Sequence, residues 1–141
     1  MVYIQLQTLI NKSVHIKREE MKLRNEIAEL RSKSKIYAAT AHNLQACRTY
    51  KSVWLEYASS PLAQKDTFYK QNGAALQTYY RAASQLDKMG ISLGTEPEKV
   101  RQLVTETESR IADLIAEVEI VRKTNQAIQE DKEKVEQIQS G

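Results

Sequence analysis

"LINKSVHIKREEMKLRNEIAELRSKSKIYAATAHNL", residues 9–44, places Leu9, Ile16, Leu23, Leu30, Tyr37 and Leu44 at intervals of seven, and Val2 begins the same series. A companion series, Leu6, Ser13, Glu20, Ile27, Ser34 and Ala41, runs beside it and is half polar. The last third of the chain repeats the pattern. Val100, Leu114, Val121, Ile128 and Val135 share one phase, interrupted by Thr107. Val104, Ile111 and Val118 share the other, followed by Asn125 and Lys132. An apolar period of 3.5 residues keeps one narrow stripe facing a partner helix and predicts left-handed supercoiling.

Composition agrees with a helical chain. The 141 residues are 41% hydrophobic and 28% charged, with four glycines and two prolines. Periodic apolar residues are too many for disorder, and turn residues too few for a β fold. No run approaches the roughly 18 apolar residues that a membrane span needs. The opening "MVYIQLQTLINK" has no basic leader or long apolar core, so no signal peptide is expected. A single cysteine excludes an internal disulfide and fits a reducing cytoplasm.

The breaks set the element bounds. "SSP" at 59–61 ends one helix, with Ser59 or Ser60 expected to cap the next and Pro61 at its first position. "QNG" at 71–73 reads as a turn or kink, and "KMGISLGTEPEK" at 88–99 as a loop whose Thr95 caps the last helix. The expectation is one elongated domain, 1–141: a long helix over 1–58, short helical pieces over 61–89 and a long helix over 96–139. Residues 1–58 hold ten Lys/Arg and five Asp/Glu, a balance of +5, whereas residues 95–141 hold seven and eleven, a balance of −4. Opposite charge makes the long helices natural neighbours in one chain. The predicted fold is all-α: an antiparallel coiled-coil hairpin with short helices capping its tip. Pairing between chains, as a homodimer, is the alternative use of the same seam.

"KIYAATAHNLQACRTYKSVWLEYASSP", residues 35–61, concentrates His42, Cys47, Trp54 and several tyrosines. Tyr37, Ala41, Leu44 and Trp54 keep helical spacing, so the expectation is an aromatic core at one end of the bundle, shared with Phe68, Tyr69, Leu76, Tyr79, Tyr80 and Leu86. A cofactor or base-stacking site is the sharper alternative. His15 and His42 lie 27 residues apart without a neighbouring second ligand, so no metal site is expected. His42 and Cys47, five apart, miss the three- and four-residue spacings that bring helix side chains together. Glycine-rich phosphate loops are absent, and carboxylate pairs such as Glu19–Glu20 suit solvated faces. No catalytic residue and no cofactor is expected.

Basic residues gather in the first helix, at Lys12, Lys17, Arg18, Lys22, Arg24, Arg31, Lys33 and Lys35. These eight are the candidate nucleic-acid contacts, since lysine and arginine neutralise phosphate and release counterions. Interleaved Glu19, Glu20, Glu26 and Glu29 dilute the patch and favour an ordinary solvated face. Binding through it is therefore expected to be weak and independent of base sequence.

The run from Glu26 to Ile91 resembles the C-terminal helical region of relaxases, the mobilisation proteins of conjugative transposons and mobilisable plasmids. The shared features are a long charged helix, a spaced pair Tyr50 and Tyr57, a helical segment from Leu62, "DKMG" at 87–90, Pro97 and a second long helix; they cover about 26–122. In that family nicking belongs to a separate nuclease domain with a catalytic tyrosine and a histidine-cluster metal site. No such cluster is present here, and no catalytic residue carries over. The resemblance implies a non-catalytic interaction module contacting single-stranded DNA or transfer-machinery proteins in the cytoplasm. The competing reading is a coiled-coil scaffold or oligomerisation protein unrelated to conjugation.

Overall fold

The computed structural model describes residues 2–140, with side chains from 3 to 138. It contains three helices, α1 (Val2–Ser59), α2 (Leu62–Lys88) and α3 (Pro97–Ser140), and no strand among the described residues. The all-α class is as expected from the apolar period. No described helix is long and apolar enough to cross a membrane.

Local chemistry sets the helix ends, in two places against expectation: α3 begins at Pro97, so the residue at its cap position is Glu96 and not Thr95, and the serines before α2 behave differently too. Ser59 and Ser60 do not cap α2. The Ser59 hydroxyl donates to the Leu55 carbonyl at 2.7 Å and that of Ser60 to the Glu56 carbonyl at 2.6 Å, so both turn back onto the end of α1. Serine readily bonds the carbonyl one turn behind it. Pro61 is then the cap residue of α2, with no side-chain cap bond. Within α2, two helical stretches meet at a kink at Asn72 (φ −124°, ψ 17°), inside the 71–73 segment read as a turn or kink. There the Asn72 amide donates to the Phe68 carbonyl at 3.2 Å, and the poor helix former Gly73 follows.

Helix α2 closes with a Schellman motif. Gly90 adopts φ +70°, its N–H donates to the Asp87 carbonyl at 3.0 Å, and the Ile91 N–H reaches the Leu86 carbonyl at 2.9 Å. Leu86 is fully buried in the cluster against which Ile91 packs, which supplies the hydrophobic contact that accompanies this motif. Pro97 opens α3, a position where its missing N–H costs nothing. Glu98 in the first turn pairs with Arg101.

The chain divides into two compact units, the first built from residues up to Lys33 with those from Thr107 onward, the second from Ser34–Glu106. In the first, the shielded positions of α1 include Leu6, Leu9, Ser13, Ile16, Glu20, Leu23, Ile27 and Leu30. The side chain of Val2, which began that series, lies outside the described residues. The shielded positions of α3 include Thr107, Ile111, Leu114, Val118, Val121, Asn125, Ile128, Lys132 and Val135. Both rows alternate spacings of three and four. Ile27 packs with Ile111, Leu114 and Val118, flanked by Leu23 and Leu30. Farther along, buried Ser13 accepts from the Gln129 amide at 2.8 Å and lies 3.5 Å from the Asn125 carbonyl oxygen. The polar seam residues therefore meet one another. Glu26 and Arg110 form an ion pair at 3.6 Å, with the acid on the basic helix, the reverse of the sense that net charge suggested.

The second unit is built on Ala41, Leu44, Cys47, Ala82, Leu86 and Val100, with Tyr37 and Tyr79 packed alongside. Ala41 on α1 and Ala82 on α2 supply the small side chains of this cluster. Arg101 donates to the Gln45 side-chain oxygen at 3.0 Å, tying the start of α3 to α1.

Candidate functional site

All eight predicted basic contacts are exposed on α1, but helical winding spreads them. Lys17, Arg24 and Arg31 recur every seven residues and so stay on one flank of the seam. Arg24 and Arg31 converge with Arg122 of α3 on a groove of about 350 Å³ that also holds Ile27, Val118 and Glu119. Lys12 stands apart, beside His15 in another groove. Lys35 belongs to the second unit. Acids temper the set: Glu20 pairs with Arg24 at 3.0 Å, and Glu119 with Arg122 at 3.4 Å. Glu119 and Arg122 are exposed, and such a pair contributes only about 0–1 kcal/mol, while in the other pair Arg24 is exposed and Glu20 half-buried. The arrangement is a charged row three residues long, not an eight-residue patch.

The second unit holds a more concentrated constellation, at residues whose spacing predicts core. Its aromatic rings form a connected chain. Trp54 stacks on Tyr79 with centroids 5.1 Å apart and 18° between planes. Trp54 also lies 6.0 Å from Tyr57, which in turn lies 6.2 Å from Phe68 and from Tyr69. The expected core is there only in part. Trp54, Tyr57 and Phe68 are half-buried, Tyr69 is exposed, and Tyr80 keeps 64% of its surface. Trp54, Tyr57, Tyr69 and Tyr80 wall a groove of about 230 Å³ over Leu76, with Arg81 at its edge. The Lys65 ammonium sits 5.1 Å from the Tyr57 ring centroid, a cation–π contact. Gln77 donates to the Tyr69 hydroxyl at 2.9 Å across the α2 kink and steadies that ring.

Beside this groove, Arg48 and Lys51 border a cavity of about 330 Å³ floored by Leu44 and Tyr79 and rimmed by Leu93 and Pro97. Pro97 begins α3, so the positive end of that helix faces the same space. Cys47, 4% exposed, lies in the lining, and burial pushes its thiol above the ordinary range. Burial, then the neighbouring Cys47, likewise raises the Tyr79 phenol. Both groups stay protonated at neutral pH, which suits packing and not nucleophilic chemistry. His42 is exposed on α1, while Cys47 faces the core. No group of three metal-ligating side chains occurs among the described residues. Comparison with known proteins found no matching family, no matching curated protein and no matching solved structure.

Proposed function

We propose that this chain is a non-catalytic helical interaction module of a relaxase-like DNA-mobilisation protein, working in the cytoplasm in contact with DNA or transfer-machinery proteins. The observation that supports it is the basic groove of Arg24, Arg31 and Arg122 beside a seam of shielded aliphatics, on a chain whose features resemble that family's helical region. Any nicking would belong to a separate nuclease domain. Within the first unit α1 and α3 are antiparallel coiled-coil partners. The pairs Ser13–Gln129 and Glu26–Arg110 support this, since rising numbers on one helix meet falling numbers on the other. In such a hairpin α2 is the capping element.

Fluorescence anisotropy of a labelled single-stranded oligonucleotide across a salt series tests the DNA contact. Three or four phosphate contacts give a slope of log affinity against log salt of about −2 to −3. Replacing Arg24, Arg31 and Arg122, the three cations of that groove, by alanine flattens it. Absence of binding at low salt removes DNA and leaves protein partners.

A second reading, a scaffold that pairs with copies of itself, is favoured by a separate observation. Ile4, Met21, Ile115, Ile120 and Ile138 are all exposed off the seam. Sedimentation equilibrium separates the two: a stable homodimer that ignores nucleic acid supports the scaffold.

A further inference from the structure

Arg48, Lys51, Trp54 and Tyr57 follow one another along α1 at intervals of three residues. Each step advances about 4.5 Å along the axis and turns about 60° around it, so the four form a strip about 13 Å long that winds half way round the helix. Its first half faces the cavity bordered by Arg48 and Lys51, and its second half faces the aromatic groove. The Trp54–Tyr79 stack is the wall between them: Tyr79 lines the cationic cavity and Trp54 the groove. Neither cavity has an acidic residue in its described lining. Glu56, the nearest acid along α1, is exposed and off the three-residue ladder. Glu98, in the first turn of α3, is engaged by Arg101.

An exposed aromatic surface adjoining cations on one small helical unit has two demands from a ligand. It must present a flat face to Trp54, Tyr69 and Tyr80, and negative charge to Arg48, Lys51 and Arg81. The geometry points to single-stranded nucleic acid as the occupant, with backbone phosphate against Arg48 and Lys51 and an unpaired base in the Trp54–Tyr80 groove. Stacking platforms next to a basic track are the general means of holding such strands, because every base has a π-face. At a stacked rise of 3.4 Å, the axial length of the strip matches roughly four nucleotides, and a strand that follows its winding spans more. A duplex does not suit it, since its bases are already stacked on one another. An extended peptide with a proline-rich face could use the aromatic groove but gives the two cations of the adjoining cavity nothing to bind. This inference rests on the nucleic-acid reading above but moves the contact from the basic row of α1 to the second unit.

Trp54 is the only tryptophan in the chain, so its emission reports the groove directly. The full chain is titrated with a short fluorescein-labelled oligothymidylate for anisotropy, and with the same unlabelled strand for tryptophan emission. The expected result is binding with quenching of Trp54 at the same midpoint. Tyr80→Ala, at an exposed position that leaves the core intact, weakens binding roughly 5- to 100-fold. Arg48→Gln with Lys51→Gln reduces the salt slope by about 1.4, at 0.7 for each phosphate released. Anisotropy showing binding without quenching, with Tyr80→Ala and the double variant behaving like the parent, overturns this site and leaves the nucleic-acid reading standing. No anisotropy change at low salt overturns both. Quenching by a proline-rich peptide and not by the oligonucleotide overturns the assigned occupant.

Discussion

The Gln129 amide donates to the Ser13 hydroxyl at 2.8 Å, joining positions 116 residues apart in the chain. Ser13 is 5% exposed, and the layers beside it are built from Leu9, Ile16, Val121 and Ile128. A slipped pairing would set this hydroxyl against aliphatic side chains and leave it without its partner, so the contact fixes register at some cost in apolar burial.

Ser13→Ala is therefore expected to destabilise the chain by about 1 kcal/mol, at the low end for a broken buried hydrogen bond because Asn125 and Gln129 still reach water. Replacing Ser13, Asn125 and Gln129 together by aliphatic residues should restore or exceed the parent stability. Urea melts of the single and triple variants measure both. A triple variant less stable than Ser13→Ala would contradict the account.

Direction is tested with spin labels in the first unit. Antiparallel pairing makes Asn11–Glu133 and Lys22–Glu117 short distances, and the exchanged pairs Asn11–Glu117 and Lys22–Glu133 long by roughly 20 Å, at 1.5 Å per residue of axial offset. Dilution with unlabelled chain separates contacts within a molecule from those between copies. Short distances for the exchanged pairs would mean a parallel arrangement.

Trp54→Ala removes a half-buried indole and its stack on Tyr79. A fully buried aromatic costs about 3–5 kcal/mol, and partial exposure brings the expected loss here to about 2 kcal/mol. Trp54→Phe should recover half or more. Thermal melts followed by circular dichroism decide it, and an unchanged melt would show that the indole contributes nothing to the fold.

Alkaline pH should weaken the second unit through Cys47 and Tyr79. Both are acids held neutral by burial, with folded values above the ordinary 9.0 and 10.0. The folded state then binds protons more tightly than the unfolded state. Their contribution is complete below the ordinary values and is lost as pH rises through the folded ones. Urea midpoints for the parent and Cys47→Ala between neutral pH and about pH 10 should converge as pH rises, because the alanine variant lacks the thiol's share of the decline. Parallel curves would rule the thiol out.

Gly90→Ala places a side chain at φ +70°, where nothing lies within 4 Å of the added carbon. The penalty is backbone strain alone, about 1 kcal/mol. Gly94→Ala, at a glycine without positive φ, should cost less, and the two urea melts make the comparison.

Much of the fold was legible because helical periodicity is a local property. The rows from Leu6 to Leu44 and from Val100 to Val135 follow from residue spacing and backbone geometry, whatever they face. Helix ends were legible only where one chemistry acted alone. Pro97 and Gly90 have a single use at their positions, whereas Ser59 and Ser60 could bond forward to cap α2 or back to α1, and the backward bonds formed. Charge counted along the chain misjudged its distribution, because winding carried Arg18 and Lys22 off the flank shared by Lys17, Arg24 and Arg31.

The sequence by itself determined that this chain is helical, where its helices break, and which stripe of each is apolar. Spacing along one helix already held the ladder of Arg48, Lys51, Trp54 and Tyr57. Only the tertiary structure decided that Ser13 meets Gln129, that Tyr79 stacks on Trp54, and that Arg48 and Lys51 face the start of α3. Those relations join residues far apart in the chain. They depend on which helices pack and in what register, which is a property of the summed contacts and not of any local run of residues.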